Sequence, residues 1–68
     1  MKILSINTSI TRTIMVQNKQ GKTLEVIDYL DDDGKILDTR VMDPMTNSEI
    51  TDPIMYGDVV AWLYTQSY

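Results

Sequence analysis

Apolar and polar residues alternate with a period of two through residue 42, a pattern that predicts strands rather than helices. Residues 2–7 (KILSIN) and 10–17 (ITRTIMVQ) are the first two, with Thr8-Ser9 between them as a turn or a bulge. Asn18-Lys19-Gln20-Gly21 comes next and carries a glycine able to take positive φ. Residues 22–30 (KTLEVIDYL) alternate again, so they form a hairpin with 10–17 over a three-residue loop, Lys19 to Gly21. A type I turn closed by a glycine bulge then sets Val16 against Leu24, Ile14 against Val26, Arg12 against Asp28 and Ile10 against Leu30. A slip of one residue would put Val16 opposite Glu25.

A second hairpin turns at Asp31-Asp32-Asp33-Gly34, because Asp-Gly between alternating apolar runs is a strong hairpin signal. The strand that follows is about 35–42 (KILDTRVM). With a loop of either two or four residues, parity puts Leu24, Val26, Leu30, Leu37 and Val41 on one face. Asp43-Pro44 ends this strand, since proline lacks a ladder donor and restricts its predecessor, and a polar loop runs over 43–51.

A helix is predicted over about 53–66, with Asp52 as its cap and Pro53 at its first position. Met55, Val59, Trp62 and Leu63 fall on one side of it, beside Tyr56, Val60 and Tyr64. Gly57 weakens its first turns by ~1 kcal/mol relative to alanine, so the regular part begins at Pro53 or only at Asp58. With either start, Trp62 sits near the middle of the packing. The expected fold is α+β, one domain over 1–68: a small antiparallel sheet of three or four strands in two successive hairpins, with one C-terminal α-helix packed on one face.

Composition narrows the function. The chain has 68 residues and neither His nor Cys. Thiol nucleophiles, Ser-His and Cys-His dyads, zinc ligands and disulfide staples are all excluded. No secretory leader opens the sequence and no apolar run approaches the ~18 residues of a membrane span, so a cytoplasmic protein is expected and the Asn7-Thr8-Ser9 sequon is a chance match.

The acidic turn 31–34 invites comparison with a calcium loop. Aligned on Gly34, an EF-hand would need an acid where Tyr29 stands and a Glu where Arg40 stands, so a solvated turn is the better reading. Asp43 with Glu49-Ile50-Thr51 has the acids of a metal-dependent nuclease but Thr where its Lys belongs. No catalytic residue, cofactor or metal is expected, and the chain is read as not an enzyme.

Arg12 opposite Asp28, beside Thr39, puts a charged pair on the face assigned to the core. The reading adopted is a partly wet pair contributing ~0–1 kcal/mol; the alternative is a lock on strand register. The other sheet face, which one helix cannot also cover, carries Met15, Ile27, Tyr29, Ile36 and Met42 interleaved with Thr13, Glu25, Asp38 and Arg40. An apolar patch rimmed by polar groups, rich in Tyr, Met and Arg, marks a protein-binding surface.

Net charge is −4, unevenly placed: residues 1–24 carry Lys2, Arg12, Lys19 and Lys22 with no acid, and all ten acids lie beyond them. Direct nucleic-acid binding is therefore not expected. The expected function is a small acidic protein–protein interaction module, resembling at the level of class a phage-type inhibitor that occludes a host or defence protein. In a sharper form, Asp31, Asp32 and Asp33 at the hairpin tip, with Asp28, Asp38 and Asp43, imitate nucleic-acid phosphates. The alternative is a structural subunit of a virion or multiprotein complex, self-associating through the sheet and Tyr68, with a homodimer as its simplest form.

Overall fold

A computed structural model describes residues 1–66. Tyr68 lies outside the described residues. The elements are β1 (Lys2–Thr8), β2 (Thr11–Gln17), β3 (Thr23–Leu30), β4 (Ile36–Asp43), β5 (Ser48–Glu49) and α1 (Pro53–Tyr64). All five strands form one antiparallel sheet in sequence order, and the class is α+β. The fifth strand lies inside the segment read from sequence as loop 43–51. Asp43-Pro44 starts a turn there, Asn47 takes φ 56°, and Ser48 and Glu49 return to pair with Asp43 and Met42.

The central ladder, β2 with β3, is regular and has the expected register, Val16 to Leu24, Ile14 to Val26 and Arg12 to Asp28. It ends at Thr11–Tyr29, however, so Ile10 stands outside the strand at 83% exposure instead of facing Leu30. Its turn and the next one are built alike. Asn18 Oδ1 accepts from the amides of Gln20 and Lys22 at 3.0 and 2.9 Å; Asp31 Oδ1 accepts from those of Asp33 and Lys35 at 2.9 and 2.8 Å. Gly21 and Gly34 sit at φ 82° and 81°, closing both loops at three residues.

A three-residue loop at 32–34 overturns the parity argument for the start of β4. Ile36 pairs with Leu30 and turns toward the helix, while Leu37 is the extra residue of a bulge, 70% exposed. Beyond the bulge the expected faces return. Without it Asp28 would face Asp38 and Val26 would face Arg40; with it Asp28 faces Thr39 and Val26 faces Val41. Like charges opposite one another destabilise a ladder, so the bulge is favoured twice. A similar irregularity at Leu4 brings Ile6, rather than Ser5, beside Ile14.

The helix begins at Pro53 and spans Gly57 without interruption. Asp52 caps it by accepting from the Ile54 amide at 3.0 Å. Val59 and Leu63, one turn apart, are its buried residues and pack on Ile14, Val16, Leu24, Val26 and Val41. Trp62 is only half-buried against this cluster, with Met55, Tyr56 and Val60, so the centre of the packing is aliphatic. A Cβ on Gly57 would meet nothing within 4 Å, whereas one on Gly34 would force a side chain into positive φ. Thermal denaturation should show Gly57→Ala stabilised by ~1 kcal/mol and Gly34→Ala destabilised by about as much.

Candidate functional site

Strand alternation gives the sheet two faces of different chemistry. The helix-covered face has a polar row beside its apolar centre, where Thr8, Arg12, Asp28 and Thr39 stand side by side on four strands. Asp28 is 4% exposed. Arg12 Nε and Nη2 donate to its Oδ2 at 3.1 and 2.9 Å, and Thr39 Oγ1 donates to Oδ1 at 2.8 Å. The pair expected from sequence to be partly wet keeps the Arg12 side chain 22% exposed, while the Asp28 carboxylate is buried with both oxygens satisfied. Tyr56 extends the arrangement by donating its hydroxyl to the Thr39 carbonyl at 3.1 Å, which ties α1 to β4.

Asp43, also buried, closes the other end of this face. Lys22 Nζ lies 3.0 Å from its Oδ2 and the Met45 amide donates to Oδ1 at 3.0 Å. Chiefly the Lys22 hydrogen bond, then the Met45 amide, holds this carboxyl below the usual aspartate range despite partial desolvation. Asp43 and Glu49, considered together above for a nuclease, belong to opposite faces of the sheet.

On the open face the register brings most of the expected contact residues together. Met15, Glu25, Met42 and Glu49 form one row across β2 to β5; Thr13, Ile27 and Arg40 form the next; Thr11, Tyr29 and Asp38 the third. Arg40 is the hub of this surface. Its guanidinium lies 3.6 Å from Asp38 Oδ2 and 3.5 Å from Glu49 Oε1, with the Tyr29 ring centroid at 6.0 Å. Met15, Ile27 and Met42 are half-buried around it, and Tyr29 is exposed. These loose, wet ion pairs contribute ~0–1 kcal/mol each and leave the Arg40 side chain 54% exposed.

Ile36, expected here, is on the other side, where it lines a narrow gap with Val60, Leu63 and Tyr64. Glu49 is the member that the sequence did not reveal, although the Pro44 and Asn47 turn signals were there to suggest a returning strand. Asp31 spends its Oδ1 on the turn, and Asp32 and Asp33 are exposed at the tip. Among the described residues no group of three acids is placed to hold a metal ion.

One cleft of about 170 Å3 lies between the first hairpin and the start of α1, lined by Met1, Lys19, Leu24, Asp52, Met55 and Asp58 among others. No helix among the described residues is long and apolar enough to cross a membrane. Comparison with protein-family models, curated proteins and solved structures finds no match for this chain.

Two measurements test this account of the charges. Chemical denaturation should show Arg12→Leu losing about 3 kcal/mol, as expected when a buried carboxylate loses its partner, with much of the loss restored in the Arg12→Leu, Asp28→Leu double variant. Because the folded state lowers the Asp43 pKa, this group's contribution to stability is complete above the unfolded value, about pH 4, and is lost as pH falls through the folded value. An acid titration of stability should therefore be shallower below about pH 4 in Asp43→Asn than in the parent chain.

Proposed function

We propose that this chain is a small acidic, non-enzymatic interaction module that works by covering part of a partner protein with the open face of its sheet. The observation that carries this reading is the group of half-buried Met15, Ile27 and Met42 and exposed Tyr29 around Arg40, on the side that α1 leaves bare. Tyr, Met and Arg are enriched in protein interfaces, and a polar rim around a partly apolar centre is the usual anatomy of such a surface. Glu25, Asp38 and Glu49 supply that rim and favour a partner with basic groups at matching positions. The absence of His and Cys from the sequence supports binding over catalysis.

In its finer form the reading is an inhibitor of the phage-encoded kind, occluding a host or defence protein in the cytoplasm. Steric occlusion has more support than imitation of nucleic-acid phosphates. Asp28 and Asp43 are buried and paired with Arg12 and Lys22, and Asp38 lies against Arg40, so Asp31, Asp32 and Asp33 are too few for an extended phosphate track.

Affinity capture from cell lysate on the immobilised chain, with bound proteins read by mass spectrometry, tests the proposal. A partner retained by the parent and by Asp32→Asn with Asp33→Asn, but lost by Ile27→Ser with Tyr29→Ala, is the expected result. A partner whose retention depends on the tip aspartates and falls steeply with salt would favour phosphate mimicry instead.

A further inference from the structure

The two edges of the sheet are treated unequally. On the β4 side the backbone is occupied: Met42 and Asp43 pair with β5, the Val41 carbonyl accepts from the Ile50 amide at 2.8 Å, and the Thr39 carbonyl accepts from the Tyr56 hydroxyl. On the other side, β1 pairs with β2 alone among the described residues, and no other described strand pairs with its outer edge. The strand has seven residues, no proline, and one charged side chain, Lys2, at its end. Natural edges of this length are ordinarily blunted by central charges, proline or a covering element, and an edge without them is a template for another strand. The irregularity at Leu4 leaves Ser5–Thr8 in regular register with β2 and so available as that template.

We propose that β1 is the pairing edge of a homodimer, in which the β1 strands of two copies run antiparallel about a two-fold axis through Ile6 and join two sheets into one. An axis perpendicular to the sheet keeps each face in continuity, so residues of equal parity meet. Ile6 then lies against Ile6 of the second copy, and Ser5 against Asn7. Ile6 is 43% exposed in the single chain and ends the apolar row Ile6, Ile14, Val26, Val41. Pairing continues that row through its mirror and removes the exposed end from water.

Charge placement fits a second copy at this edge. Within the sheet every acid lies on β3, β4 or β5, while β1 and β2 hold only Lys2 and Arg12 as charged residues. Joining at β1 therefore keeps the acids of the two sheets away from the joint, and antiparallel pairing also separates the two Lys2 side chains. Joining through β4 and β5 would bring the acids together.

Sedimentation equilibrium over a concentration series should show the parent chain in a monomer–dimer equilibrium, shifted at least tenfold toward monomer in Ile6→Lys, with Ile27→Ser plus Tyr29→Ala dimerising as the parent does. Far-ultraviolet circular dichroism checks that Ile6→Lys is folded. Ile6→Cys provides an independent readout because the chain has no other thiol: on mild oxidation it should form a reducible covalent dimer faster than the exposed control Leu37→Cys. A parent that remains monomeric at every concentration, a dimer lost through the open-face substitutions, or equal trapping of the two cysteine variants overturns the proposal. The open-face variants keep it separable from the binding role proposed above, which stands or falls on partner capture.

Discussion

Asp28 is the constraint around which the sheet is arranged. A carboxylate removed from water in a chain this small must have its charge met and both oxygens bonded, and three strands contribute to that: β3 carries it, β2 supplies Arg12 and β4 supplies Thr39. A slip of one residue between β2 and β3 would replace Arg12 by an uncharged threonine opposite Asp28, and a slip that brought Asp38 opposite it would set two carboxylates together. The same register puts Val26 between Ile14 and Val41, so the apolar core and the polar row specify one alignment. Tyr56 then links this row to the helix through the Thr39 carbonyl, which makes helix docking depend on β4 being in place.

The irregularities of the sheet follow from that alignment. The Asp31–Gly34 turn by itself would deliver β4 one residue out of phase and set Asp38 against Asp28. Extruding Leu37 corrects the phase, at the cost of leaving a leucine in solvent. On the far side of the central ladder the shift near Leu4 serves the core in the same way, by presenting Ile6 to Ile14. Two identical turn constructions, Asn18 to Lys22 and Asp31 to Lys35, thus end in different registers because the strands they feed have different residues to bury.

The proposed binding role rests on what one short helix cannot do. Val59 and Leu63 cover the side of the sheet that holds Asp28 and Asp43, and the other side is left with Arg40 between Tyr29, Ile27 and two carboxylates. Its surface is neither dry enough to act as a second core nor charged enough to be ordinary solvated sheet. With β1 open and the β4 edge occupied, the molecule presents two distinct surfaces, a face and an edge, and a contact made on one leaves the other accessible.

Alternation, turn residues and capping chemistry determined much from sequence alone. They fixed the antiparallel hairpins, the regular β2–β3 register, the Asp52 cap and the placing of Met15, Ile27 and Tyr29 on one face, because each depends on contacts between residues close along the chain, whereas Asp38, Arg40 and Met42 reach that face only because the bulge at Leu37 restores the phase. Ile36, Leu37, Ile6 and Glu49 needed the tertiary structure. Their positions depend on bulges and on a two-residue strand, and a bulge is a compromise between a local turn and distant partners that periodicity does not record. The burial of Asp28 and the displacement of Trp62 from the centre of the core had the same origin. Both were decided by how closely α1 and β4 approach the central ladder, a distance set by the packing of Val59 and Leu63 and by the Tyr56 hydrogen bond rather than by any single segment.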